Sequence, residues 1–128
     1  MKVIQTKLKD CVIIEPKIFG DDRGFFLETF QLSRYSQDAG INLPFVQDNY
    51  SRSVKGVLRG LHFQRRKPQG KLVRVVKGLV YDVAVDLRKN SPTFLKWHAA
   101  ILSEENHRSF VIPEGFAHGF QTLRQTLM

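Results

Sequence analysis

The chain has 128 residues, 42% of them hydrophobic and 25% charged, a size and balance that fit one folded domain over residues 1–128 and exclude disorder, a fibrous repeat or a second domain. No apolar run approaches the roughly 20 residues needed to span a bilayer, and the first residues lack a signal-peptide core, so a cytoplasmic protein with no membrane partner is expected. The formal net charge of +8 favours an anionic ligand; the basic residues are scattered, with no recognition helix, zinc finger or aromatic RNA-binding motif beside them, so nucleic acid is not the expected partner.

Turn-forming clusters punctuate the chain at Gly20-Asp-Asp22, Gly40, Lys55-Gly56, Lys67-Pro-Gln-Gly70, Lys77-Gly78, Lys89-Asn-Ser-Pro92 and Glu104-Glu-Asn106. The stretches between them are short and rich in Val, Ile, Phe and Leu, which predicts strands. Cys11, the one cysteine, excludes an internal disulfide or a cysteine-based zinc site and reads as a small apolar filler. Only Leu32–Ala39, closed by Gly40, has a helical pattern. Gln47 and Asn49, two apart, share one face if that segment is a strand. Arg65-Arg66-Lys67 before Pro68 reads as an exposed, solvated loop.

Leu72–Val76, a turn at Lys77-Gly78 and Val80–Val85 predict a hairpin. In its second strand Val80, Asp82, Ala84 and Asp86 alternate onto one face, opposite Tyr81, Val83, Val85 and Leu87. If that face is solvated the carboxylates are ordinary surface charges; if it lines a pocket, Asp82 can orient a histidine or pair with Lys71. Gln121–Met128 reads as the start of a further strand. The fold class expected is an all-β jelly roll with one short helix.

Arg59-Gly-Leu-His62-Phe-Gln64 and Pro113-Glu-Gly-Phe-Ala-His118-Gly-Phe120 each set a histidine inside an apolar, glycine-containing segment. Alone, each histidine reads as a hydrogen-bonded structural residue. Together with Arg59, Lys71, Gln47 and Asn49 they describe equipment for moving a proton on an anionic ligand, because imidazole titrates near neutrality. Arg59 and His62 are three apart, so strict alternation puts them on opposite faces unless Gly60 forms a bulge. Pro113-x-Gly115-x-x-His118 matches the core of the second cupin motif. The first motif's His-x-His and Glu are represented only by His62-Phe-Gln64, so no metal site is expected.

Six segments in order resemble the dTDP-4-dehydrorhamnose 3,5-epimerase family: Phe19–Glu28, Phe45–Ser53, Gly56–Gln64, Gly70–Gly78, Tyr81–Arg88 and Ile112–Phe120. The resemblance implies a cupin-type barrel, a dTDP-sugar substrate and epimerisation of dTDP-4-dehydro-6-deoxy-D-glucose at C3 and C5, without cofactor or metal. It implies that His62 is the general base, with Lys71 and His118 in the sugar pocket. Arg23, Glu28, Gln47, Asn49 and Arg59 then contact the nucleotide sugar, some of them across a homodimer interface. The family's acid, a tyrosine, falls just past Met128, and the aspartate that partners the base lies farther on. A C-terminally truncated domain with strands missing and impaired activity is therefore expected. Two further readings stay open: an epimerase of C3 or C5 only, or a ketoisomerase, on another nucleotide sugar, and an inactive nucleotide-sugar-binding remnant.

Overall fold

The computed structural model describes residues 1–41, 45–66 and 69–128. In chain order the strands are β1 (Lys2–Gln5), β2 (Val12–Glu15), β3 (Ile18–Asp21), β4 (Gly24–Leu27), β5 (Arg52–Ser53), β6 (Leu58–His62), β7 (Lys71–Arg74), β8 (Lys77–Asp86), β9 (Trp97–Ser103), β10 (Ser109–Ile112) and β11 (Phe116–Leu127), with α1 (Leu32–Ala39) between β4 and β5. They form a four-stranded sheet ordered β1-β2-β10-β7, a five-stranded sheet ordered β5-β11-β8-β9 with β6 also on β11, and the separate hairpin β3-β4.

The two larger sheets face each other across one core. Ile13, Phe110 and Ile112 of the first sheet pack with Val80, Ala84, Leu102 and Phe116 of the second, and Cys11 fills a gap among them. Burial pushes the Cys11 thiol up to about 12, as expected of a cysteine that serves as apolar filler. Alternation explains the second sheet: in β8 Val80, Asp82, Ala84 and Asp86 are buried and point inward.

Beyond the first sheet lies a second apolar layer. Val12, Ile14 and Val111 turn away from the core and are buried instead under Tyr35 of α1 and Ile41. That is why β2 and β10 read as continuous apolar runs: both of their faces are covered. The helix is held at its start by Gln31, whose side chain accepts the Arg34 N–H at 2.7 Å, and is closed by Gly40 at φ 67°. Tyr35 donates its hydroxyl to the Thr29 carbonyl at 2.9 Å.

Two local expectations need correction. Leu72–Val76 and Val80–Val85 are not a hairpin, because β7 pairs with β10 in the first sheet and β8 with β9 and β11 in the second. Lys77 and Gly78 are the first residues of β8 rather than a turn, and the chain crosses between sheets at Val75–Val76, where the Val76 N–H donates to the Leu127 carbonyl at 2.8 Å. The physical reason lies in the pattern: Leu72 packs on the helix side and Val73 on the core side, which suits the doubly covered sheet. Second, Gln47 and Asn49 lie outside any strand. The loop at Arg65-Arg66 is exposed as expected, while Lys67 and Pro68 lie outside the described residues.

Candidate active site

The site begins with the pairing of three strands. β6 lies antiparallel to β11 with His62 opposite His118 and Arg59 opposite Phe120. β11 in turn sets His118 opposite Ala84 and Phe120 opposite Asp82 of β8. Residues directly opposed across a ladder project to the same side, so Arg59, His62, His118 and Asp82 share the inner face that carries Ala84.

Arg59 and His62 achieve this although three positions separate them, because β11 spans the same distance with two, a register shift between His118 and Phe120. The extra residue is a bulge at Gly60, as the spacing required. Gly60 has φ 101°, and a Cβ there would stand 2.7 Å from both Gly119 Cα and His118 O. Only glycine satisfies that backbone conformation and that approach together.

His118 Nε2 lies 2.8 and 3.0 Å from the two oxygens of Asp82, donating its N–H to the carboxylate. Both residues are buried, Asp82 completely. Burial pushes the Asp82 carboxyl up, against the hydrogen bond from His118 and the positive charges of His118 and Lys71. Of the two roles open to Asp82, it takes the histidine as its hydrogen-bonded partner, with Lys71 near enough to be felt as charge. Lys71 reaches this face from the first sheet: opposite Ile112 and two residues from Val73, it shares the phase of the core-facing residues of β7.

His62 opens onto a cavity of about 250 Å³ lined by Phe63, Gln64, Gln69, Lys71, Gly115 and Phe116 as well. Among the described residues no hydrogen bond is made to the His62 ring, so it stands exposed at the cavity with both nitrogens available. Gln64 and Gln69 were not singled out from the sequence. Their closeness in sequence to His62 and Lys71 is the one signal that pointed to them. Tyr81 sits on the opposite, outward face of β8 and is exposed.

The remaining predicted residues are not brought to this cavity within one chain. Arg23 lies at the tip of the β3-β4 hairpin, bound to Asp21 through Nη2 at 2.6 Å. Glu28 accepts from Arg34 Nε of α1 at 3.0 Å. Gln47 donates its amide to Asn49 at 3.1 Å, both exposed. Arg59 is on the inner face but exposed, its guanidinium 3.4 Å from the Arg52 carbonyl. Asp86, the second inward carboxylate of β8, serves a different purpose. Burial alone would raise it, but hydrogen bonds from Arg88, Ser91 and Thr93 outweigh that and hold it well below the usual carboxylate range.

The chain is similar to proteins of known family. A family model described as dTDP-4-dehydrorhamnose 3,5-epimerase matches residues 5–128. The protein of that name from Methanothermobacter thermautotrophicus is 59% identical over 122 residues, covering 95% of this chain and 65% of its own. A crystal structure of dTDP-6-deoxy-D-glucose-3,5-epimerase from Legionella pneumophila, in complex with dTDP-4-keto-L-rhamnose, superposes with a TM-score of 0.94 at 58% identity, over 98% of this chain and 67% of that one. The dTDP-4-dehydrorhamnose 3,5-epimerase of Bacillus anthracis, with TDP and PPi bound, gives 0.91 at 49% identity, over 98% and 73%. The chain thus spans about two thirds of the length of these relatives, and its two facing sheets are the cupin-type architecture expected. A match over all but the first four residues, joined to near-superposition of the strands that carry His62, Lys71 and His118, places the chain in the dTDP-4-dehydrorhamnose 3,5-epimerase family.

Proposed function

We propose that this chain carries the base-bearing pocket of a 3,5-epimerase that acts on dTDP-4-dehydro-6-deoxy-D-glucose, with His62 as general base. The observation that carries the reading is the convergence of His62, Lys71, His118 and Arg59 on one inner face, His62 and Lys71 lining the same cavity. A 4-keto group acidifies the C–H bonds at C3 and C5. A neutral imidazole with a free nitrogen removes such a proton, and the electron pair moves into the carbonyl as an enolate. The Lys71 ammonium and the His118–Asp82 pair stabilise the oxygen that gains charge, a role that groups fixed in a poorly solvated site perform without reorganising.

The cavity falls below the roughly 300–1,000 Å³ of sites that enclose a whole ligand. It suits the sugar ring, leaving the nucleotide to the exposed rim where Arg59 stands. We assign the homodimer to the same reading. Phe19, Phe25 and Phe26 of the β3-β4 hairpin are each more than half exposed, and a lone two-stranded ribbon is marginal in water. Docked on a second copy, the hairpin covers those rings and delivers Arg23 to the partner's pocket. A cytoplasmic location belongs to this reading and suits the free Cys11.

The test is proton NMR of the substrate in deuterated water. Tyrosine is absent from the cavity lining among the described residues, so hydron exchange at C3 or C5 is expected to outpace inversion. Absence of exchange with the wild-type chain, or exchange that survives His62→Ala, overturns the assignment.

A further inference from the structure

Beyond the His118–Asp82 pair, a dense polar cluster among the described residues gathers on Arg88. Its Nε meets Asp86 Oδ1 at 3.0 Å, Nη1 meets Asp10 Oδ2 at 2.9 Å, and Nη2 donates to the Lys9 carbonyl at 2.8 Å and to Asp86 Oδ2 at 3.0 Å. Asp86 is fully buried and also accepts from Thr93 at 2.6 Å. One guanidinium therefore ties together the β1-β2 loop, the end of β8 and the β8-β9 loop. Nε and Nη2 are fully engaged and Nη1 is paired with Asp10, so the guanidinium serves to tie these segments together.

The cluster does touch the cavity wall. The guanidinium carbon lies 4.8 Å over the Phe116 ring, and Phe116 stands opposite Asp86 across the ladder. The neighbouring Gly115, at φ 87°, packs so tightly on the Arg88 stem that a Cβ there would come within 2.7 Å of Arg88 Cγ. The Leu87 N–H donates to the Gly115 carbonyl at 3.0 Å. Gly115 and Phe116 both line the cavity that holds His62.

We infer that Arg88 is a positioning residue: through its packing on Phe116 and Gly115 it sets the wall against which the sugar is held at His62. Its effect on the reaction rests on the epimerase reading; its hold on the wall does not. Misplacing a bound reactant by about 1 Å costs on the order of a hundredfold in rate, so a shifted wall is expected to lower turnover rather than merely stability.

The experiment compares wild type, Arg88→Ala, Gly115→Ala and the double variant, at a temperature where circular dichroism shows each fully folded. Hydron exchange into dTDP-4-dehydro-6-deoxy-D-glucose at saturation is expected to fall about tenfold or more in Arg88→Ala. Gly115→Ala should also lose activity, but removing the Arg88 stem relieves its clash. The double variant is therefore expected to keep at least about threefold more activity than the product of the two single losses allows. Without any ligand, amide exchange of Leu87 should accelerate in Arg88→Ala by about tenfold or more beyond any acceleration of Ile13, a core amide that reads the global loss of stability. Should Arg88→Ala not fold, Arg88→Met keeps the stem, lacks the forked donors and carries the same expectation for Leu87. A Leu87 amide that accelerates no more than that of Ile13, or strictly multiplicative activity losses, overturns the inference. A wild-type chain that exchanges no substrate hydron counts against the epimerase reading alone, and Leu87 protection then decides the role of Arg88.

Discussion

His62 and His118 stand directly opposite each other across β6 and β11, yet only His118 has a carboxylate partner, Asp82 at 2.8 Å. One imidazole is buried and anchored, the other exposed and free. The same residue type is thereby set in two environments, one fixed by a buried carboxylate and one open at the cavity.

This division separates activity from stability. His62→Ala is expected to reduce hydron exchange by about 10²–10⁴-fold while changing unfolding free energy by less than about 0.5 kcal/mol, as for other exposed positions. His118→Ala leaves Asp82 buried without its donor and is expected to cost about 1–3 kcal/mol. Urea unfolding of both variants beside NMR exchange rates checks the contrast.

Asp86 predicts an acid limb of known sign. Its carboxyl is held below its unfolded value, so its stabilising effect is complete above the unfolded range, near pH 4, and is lost as pH falls through the folded value. Asp86→Asn is expected to destabilise at pH 7 by about 3–5 kcal/mol, the cost of breaking a buried pair, with the gap to wild type narrowing as pH falls from 4 toward 2. Denaturant titrations across that range measure it; a gap that stays constant contradicts the assignment.

Gly119 faces the bulge, and a Cβ there would stand 2.7 Å from the Arg59 carbonyl oxygen. Gly119→Ala is therefore expected to push β6 away from β11, cutting hydron exchange by about tenfold or more through displacement of His62. Amides of β8 and β9 should keep their protection, which hydrogen exchange resolves strand by strand.

If Arg23 serves the partner's pocket, two inactive variants should rescue each other. Mixing Arg23→Ala with His62→Ala makes heterodimers in which one pocket joins an intact His62 to an intact Arg23. Activity is expected to rise in the mixture above either variant alone, up to about a quarter of wild type when half the chains pair as heterodimers with one working pocket each. No gain after subunit exchange places Arg23 in its own chain's pocket.

Much of this was legible in the sequence because it depends on local pattern. The period-two alternation of β8 put Asp82 and Asp86 on one face, and Leu32–Ala39 with Gly40 described α1 to the residue. The odd spacing of Arg59 and His62 announced the bulge before the register showed it. The β7-β8 hairpin failed because a turn-like pair, Lys77-Gly78, says nothing about which sheet each flanking strand joins; that is decided by distant partners such as β10. That some of Arg23, Glu28, Gln47, Asn49 and Arg59 stand apart from the cavity within one chain agrees with the resemblance, which sets some of them across a homodimer interface, but the motif does not say which. The role of Arg88 is not legible in the sequence because its partners Asp10 and Lys9 lie 78 and 79 positions away.

The bulge at Gly60 makes the count of residues in β6 a determinant in its own right. Deleting one residue between Arg59 and His62 would restore strict alternation at even spacing and keep both side chains inside, at the expense of the glycine contact with β11. Inserting one would do the same with a longer, unpaired loop. Changes of length here are thus milder in facing than in fit, whereas a change of length in β8, which has no such slack between Val80 and Asp86, would turn Asp82 outward and leave His118 without its carboxylate. Tolerance to insertion and deletion therefore differs between two strands that both pair with β11, and a length-variant library scored for folding would read that difference directly.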